Sequence, residues 1–279
     1  MLSWGGVVAL KPAAVGKSRL GVLPVPLRER LALMMALDTL AAVAAATDRL
    51  VVITEDPTIP GILAQESIPA DLLPEPSNGG MNAALIAGDH ALRAGGCDHV
   101  LAAVGDLPGL TAEAVTRFLS TVEAQTSAGR AFVPDRSGIG TTVLAASGVE
   151  LNPLFGGESA AAHRNSGAVP IGDLPFPGLR SDVDAPEDLP AVIGTGVGRY
   201  TASLISPQSG ELASYLPVTV AGPLPDHVVD PAAGYQVITD TGVRRELART
   251  ALDRRIRLLR PGQRLHAVSA GQTLISAWF

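Results

Sequence analysis

The chain has 279 residues, 47% of them hydrophobic and 17% charged, enough to bury one large domain or a domain with an appendage. A formal net charge of −6 excludes a general attraction to nucleic acid or an anionic membrane, so any phosphate binding must come from a local cluster of cations. A single cysteine, Cys97, excludes an internal disulfide, the opening MLSWGGVVAL lacks a secretory leader, and no apolar run reaches membrane-spanning length; a cytoplasmic protein is expected.

In chain order, GVVAL (6–10) predicts a first buried strand, followed by a long loop and a helix over RERLALMMALDTLAAVAAA (28–46). LVVIT (50–54) predicts the next strand, MNAALIAGDHALRAG (81–95) a helix, HVLAAVG (99–105) a strand, and TAEAVTRFLSTVEAQ (111–125) a helix capped by Thr111 with Glu113 in its first turn. RAFVP (130–134) and TTVLAA (141–146) complete the strands. The alternation predicts an α/β fold with a mostly parallel mixed sheet covered on both faces, and ligands beyond the carboxyl ends of its strands. After DVDAPEDLPAVIGTGVGRY (182–200) the composition changes. Residues 204–279 are rich in Pro, Gly and Val and carry 8 Arg against 6 acidic residues, all of the arginines within VRRELARTALDRRIRLLRPGQRL (243–265). The expectation is a catalytic domain over 1–203 and a small β-rich extension over 204–279, built around one helix; its apolar, arginine-rimmed character suits a homodimer interface.

Three loops at strand ends carry candidate chemistry. The first, Lys11 to Pro26, holds the only two lysines of the chain, Lys11 and Lys17, with Arg19 close behind. GKS at 16–18 matches the end of a phosphate-binding P-loop, but the required glycine five places earlier is Lys11, so that motif fails. What remains is either a solvated surface loop or a triphosphate cradle in which two ammonium groups and a guanidinium neutralise phosphates. The second, VGDLPGL (104–110), places Asp106 just past a buried strand, as an ordinary turn residue or as a carboxylate for Mg²⁺. The third, GLRSDVDAPEDL (178–189), brings Asp182 and Asp184 to one side of an extended segment, where both can face one ion; Asp184 could instead cap the helix that Pro186 begins. A fourth segment, DRSGIGTTVLAASGVELNPLFGGESAAAHRNSGA (135–168), sets the hydroxyls of Thr141, Thr142 and Ser159 and the flexible Gly156 and Gly157 near His163 and Arg164, read as cations; such a loop suits a bound phosphate or carboxylate.

Taken together, VALKPAAVGKSRL, EPSNGGMNAAL (75–85), VGDLPGL, DRSGIGTTVL, LFGGESAAAHRNSGA and LRSDVDAPEDL, in this order across about residues 5–200, resemble the 2-phospho-L-lactate / phosphoenolpyruvate guanylyltransferase family of coenzyme F420 biosynthesis. The resemblance implies a Rossmann-like nucleotidyltransferase fold, GTP as co-substrate and Mg²⁺ as the ion. Position by position it implies acceptor contacts at Thr141, Gly156 and Ser159, metal carboxylates at Asp106, Asp182 and Asp184, and a nucleotide loop at Asn78, Gly79, Gly80 and Asn82. The extension after about residue 204 departs from the family pattern.

The expected reaction is in-line transfer of GMP from GTP to phosphoenolpyruvate or 2-phospho-L-lactate with release of pyrophosphate. Lys11, Lys17 and Arg19 would hold the triphosphate, and Asp106 would serve as the principal catalytic carboxylate. Two other expectations stand beside it: nucleotidyl transfer to 3-phosphoglycerate, a pterin cofactor or a sugar phosphate, and a GTP-binding regulatory protein without turnover.

Overall fold

Short β-branched and alanine-rich runs form the central sheet. In the computed structural model, which describes residues 3–12, 20–77, 79–125, 129–224 and 234–279, WGGVVAL forms β1 (Trp4–Leu10) and RLVVIT forms β2 (Arg49–Thr54). HVLAA forms β4 (His99–Ala103), after a short β3 (Asp71–Leu73). GRAFVP and TTVLAAS form β5 (Gly129–Pro134) and β6 (Thr141–Ser147), and β7 is Val169–Pro170. The helices between them are α1 (Val25–Ala46), α2 (Ile59–Glu66), α3 (Gly80–Ala94), α4 (Ala112–Gln125), α5 (Ser159–Asn165) and α6 (Asp188–Thr195). The sheet runs in the order β3-β2-β1-β4-β6-β5-β7. Every pairing is parallel except those of β6, which lies antiparallel between β4 and β5.

Both faces of this sheet are covered, so its strands read as continuous apolar runs rather than as alternation. Val7, Val51, Ile53, Val100 and Ala102 join Ala84, Leu85 and Leu92 of α3 in one core cluster. Val8, Val52 and Leu101, which point the other way along the same strands, are equally sealed from solvent. The antiparallel course of β6 has a consequence for the site: its first residues lie beside the carboxyl end of β4, where the Val104 N–H donates to the Thr142 carbonyl at 2.9 Å. Thr141 thereby arrives at the same sheet edge as Gly105 and Asp106.

The chain divides into two compact units, one of Met1–Leu20 with Ala32–Gly198, the other of Gly21–Leu31 with Arg199–Phe279. Beyond Gly21–Leu31, the second unit holds the short α7 (Arg199–Ala202) and five antiparallel strands, β8 (Ser214–Pro223), β9 (Tyr235–Thr239), β10 (Arg244–Leu247), β11 (Arg264–Ala270) and β12 (Thr273–Trp278), in the order β10-β9-β8-β11-β12. The extension is β-rich, but the helix expected within 204–279 is not found among its described residues. The arginine-dense stretch holds β10, the start of β11 and, as its one helical turn, the 3₁₀ turn Arg249–Ala251. Leu252, Ile256 and Leu259 have helical spacing, but local bonds win: the Asp253 carboxylate accepts the Arg255 N–H at 2.9 Å, and the Asp253 N–H donates to the Ala277 carbonyl at 2.8 Å. No helix among the described residues is long and apolar enough to cross a membrane.

Candidate active site

The carboxyl ends of β1, β2 and β4 and the start of β6 open on a cleft of about 700 Å³, within the first unit. Of the residues singled out in the sequence, Lys11, Asp106, Thr141, Gly156, Ser159, Asp182 and Asp184 all line it. Lys17, Arg19 and Asn78 lie outside the described residues. Gly79, Gly80 and Asn82 are described but do not line the cleft, whereas Glu75 and Met81 beside them do. The Asn82 amide is engaged twice by the backbone of Phe155, donating to its carbonyl at 3.0 Å and accepting its N–H at 2.9 Å. It anchors the Phe155–Gly157 turn.

Asp106 sits in a clamped loop. The buried Leu107 that follows it donates its N–H at 3.0 Å to Thr39 of α1, a hydroxyl placed in the middle of an apolar helix. The Pro108 carbonyl accepts the Gly198 N–H at 2.7 Å, and the Asp106 carbonyl accepts the Val183 N–H at 3.3 Å. That last bond aligns the 182–184 segment with the β4 loop. Val183 is fully buried, and the alternation of an extended chain turns Asp182 and Asp184 together into the cleft. Asp184 does not cap α6. The Asp188 carboxylate instead accepts the N–H groups of Asp184 and Ala185, at 3.0 and 2.8 Å, and the helix begins only at Asp188, after a turn that contains Pro186.

This wall is crowded with negative charge. Burial, then the charges of Asp106, Asp184 and Asp135, push the Asp182 carboxyl up to about 7. Asp56, Glu75 and Asp135 also line the cleft, and Lys11 is its one cation among the described residues. None of these three acidic residues was anticipated as a site residue, although Asp135 follows β5 as Asp106 follows β4. Asp56 and Asp135 have local work: Asp56 accepts the N–H and hydroxyl of Thr58, and Asp135 shapes the β5–β6 hairpin by accepting Ser137 Oγ and the N–H groups of Ile139 and Gly140. Among the described residues no three acidic, His or Cys side chains are drawn together as a ready-made metal cage. Three like charges that repel one another will not converge without a cation between them.

The rest of the predicted site residues in the cleft, apart from Lys11, are neutral. Gly156 and Gly157 have φ of 105° and 50°, and the space where a Cβ would stand is open at both, so backbone conformation is what calls for glycine here. Thr141 and Ser159 are 6% and 3% exposed. Thr142 was read with them, but strand alternation sends its hydroxyl the other way, onto the Leu179 carbonyl at 2.5 Å. His163 and Arg164 are not the local cations their types suggested. Arg164 is exposed and does not line the cleft. His163 is fully buried; burial, with the Arg130 charge and against the Ser159 carbonyl, lowers its pKa to about 4, so the ring is neutral. It lies 2.9 Å from Thr141 Oγ1 through Nδ1 and accepts the Leu154 N–H at Nε2, also at 2.9 Å.

A family model for the MobA-like NTP transferase domain matches residues 23–265. The chain is 38% identical over 211 residues to the phosphoenolpyruvate guanylyltransferase of Geodermatophilus obscurus, an alignment that covers 73% of this chain and 94% of that one. It is 40% identical over 204 residues to the phosphoenolpyruvate guanylyltransferase of Mycobacterium sp. strain KMS, covering 71% and 90%. Among solved structures, a Desulfovibrio desulfuricans G20 protein described as a nucleotide-diphospho-sugar transferase superposes with a TM-score of 0.53 at 16% identity, covering 70% of this chain and 88% of that one, a likeness of fold alone.

Proposed function

Since the chain belongs to the phosphoenolpyruvate guanylyltransferase family of nucleotidyltransferases and carries a MobA-like NTP transferase domain, we propose that it transfers GMP from GTP to phosphoenolpyruvate or 2-phospho-L-lactate, in the cytoplasm and in coenzyme F420 biosynthesis. The observation that carries this reading is the set of residues that lines one cleft. Asp106, Asp182 and Asp184 share one cleft of about 700 Å³ with Lys11 and with the neutral Thr141, Gly156 and Ser159, so carboxylates for a metal stand in the same space as groups that can hold an anion.

In the proposed step a phosphate oxygen of the acceptor acid attacks the α-phosphorus of GTP. The new O–P bond forms as the bond from the α-phosphorus to the bridging oxygen breaks, and pyrophosphate leaves with that electron pair. The attacking oxygen is already anionic near neutral pH, so no general base is needed and positioning dominates. The hydroxyls of Thr141 and Ser159 and the backbone at Gly156 would orient the acid. Lys11, which follows β1, would contact the triphosphate, and Lys17 and Arg19 are proposed to do the same from the loop beyond it.

The three carboxylates fit a divalent ion: burial first, and then the charges of Asp106 and Asp184, raise the pKa of Asp182, and a cation among them would relieve both. Mg²⁺ takes one or two carboxylates together with substrate phosphates and waters, so no complete protein cage is required. Asp106, Asp182 and Asp184 would hold it. When bound, it would offset the charge of the acceptor phosphate and the α-phosphate.

The test is pyrophosphate release by the purified chain with Mg²⁺ and GTP, offered phosphoenolpyruvate, 2-phospho-L-lactate or 3-phosphoglycerate separately, with ATP as donor control. Release with GTP and one of the first two acids is expected. Release with 3-phosphoglycerate alone would move the acceptor, and GTP binding without release for any acid would replace turnover by a regulatory role.

A further inference from the structure

The lining of the cleft contains a hydroxyl whose direction is set from behind. His163 Nε2 accepts the Leu154 N–H. A neutral imidazole has one N–H and one lone-pair nitrogen, so an accepting Nε2 puts the proton on Nδ1. Nδ1 is 2.9 Å from Thr141 Oγ1 and must donate to it. Thr141 Oγ1 already receives one hydrogen bond, so its own O–H turns away from the ring. Thr141 lines the cleft and Thr142 Oγ1 is committed elsewhere, which leaves the cleft as the place for that hydrogen.

We propose that His163 is a positioning residue for the acceptor: its Nδ1–H fixes the Thr141 hydroxyl as a hydrogen-bond donor to an anionic oxygen, carboxylate or phosphate, of the acid that receives GMP. This rests on the acceptor reading given above. The opposite tautomer would accept from Thr141 and present lone pairs to the incoming anion, turning attraction into repulsion. Several features hold the ring as it is. Leu154 N–H would lose its partner if the ring turned over, and Phe132 and Phe155 pack on the imidazole with ring centroids at 5.6 and 5.2 Å. His163 also lies one helical turn beyond Ser159 on α5, so a single short helix aligns both hydroxyls, that of Ser159 directly and that of Thr141 through the His163 ring.

Two substitutions separate the halves of the ring. In His163→Asn the amide nitrogen falls near the place of Nδ1 and keeps a donor for Thr141 while abandoning Leu154. In His163→Gln the amide reaches the place of Nε2 and keeps Leu154 while abandoning Thr141. For the acid the wild type uses, His163→Gln should raise KM about 10- to 100-fold, the loss of one charge-assisted hydrogen bond, with KM for GTP within about threefold of wild type. His163→Asn should stay closer to the wild-type value for the acid. Equal rises in both KM values for both variants would mean a packing role and overturn the proposal. The tautomer can be read without any variant from the two imidazole ¹⁵N shifts of His163 in the full chain: a proton on Nδ1 is expected, and a proton on Nε2 overturns the assignment even if the variants fail to fold. A wild type that turns over none of the acids sinks the acceptor reading and this role with it. Turnover without a selective KM effect sinks this role alone.

Discussion

Two aspartates, Asp182 in the cleft and Asp253 in the C-terminal unit, are both largely withdrawn from water and respond in opposite ways. Burial and the charges of Asp106, Asp184 and Asp135 push Asp182 up to about 7. Burial acts on Asp253 in the same direction, but hydrogen bonds from Arg255 and the charge of Arg30, at 2.5 Å, overcome it and hold that carboxyl well below the usual range. The Arg30–Asp253 pair is 9% and 8% exposed and complete within its unit, with the Arg30 guanidinium also over the Trp278 ring at 5.4 Å. Charge balanced inside the protein serves the fold. Charge left in excess along a cleft costs stability and persists where a ligand can balance it.

The comparison breaks first at Asp106. Asp106→Asn should lower kcat/KM for guanylyl transfer by about 10²-fold or more while the melting temperature holds or rises, because a repelling charge is removed from the acidic wall. A variant that keeps turnover would strip Asp106 of its role in the metal site. One that melts far below wild type would make it a structural residue like Asp253. The converse holds in the other unit. Asp253→Ala leaves the Arg30 guanidinium buried without its carboxylate and should cost about 3–5 kcal/mol in denaturant unfolding of that unit, with turnover unchanged wherever the protein stays folded.

How much of this was legible in sequence follows from what each signal depends on. β1, β2, β4, β5 and β6 were visible because a doubly covered strand is a continuous apolar run, and the alternation of Asp182 and Asp184 was visible because it needs only an extended backbone. β3, at three residues, and α2, at eight residues with Pro60 in its first turn, are too short for a period to register. The helix expected in the extension failed because Leu252, Ile256 and Leu259 imitate a helical stripe, while Asp253 diverts the backbone into a turn and a bridge to Ala277. At the site, His163 was read as a cation from its type, and only its burial and its two partners make it neutral. Thr39 is of the same kind. A threonine amid the leucines and alanines of α1 was the available signal, but its partner Leu107 is 68 residues away.

The two aspartates should also separate on a pH scale. In chelator-treated protein, Asp182 binds its proton more tightly folded than unfolded. Its contribution is therefore complete below the unfolded pKa of 3.8 and is lost as pH rises to about 7. Asp253 has the opposite sign: its contribution is complete above 3.8 and is lost as pH falls toward strong acid. Unfolding measured between pH 4 and pH 8 should then show Asp182→Asn gaining on the wild type as pH rises, with the gap shrinking when Mg²⁺ is added. A gap that is flat with pH would mean that Asp182 is not held among like charges.

The smallest effect belongs to a pair that looks equally good by distance. Arg264 Nη2 reaches both carboxylate oxygens of Asp240, at 2.9 and 3.0 Å, yet the side chains are 66% and 52% exposed. Water competes for each partner, salt screens the attraction, and two long side chains lose freedom to hold one geometry. Arg264→Gln, which keeps most of the stem, should therefore change unfolding by less than about 1 kcal/mol, and the difference should fade in 1 M salt, where the screening length is about 3 Å. If it cost as much as Asp253→Ala, burial would no longer distinguish the two ion pairs. The contrast between balanced and excess charge would then have to rest on geometry alone.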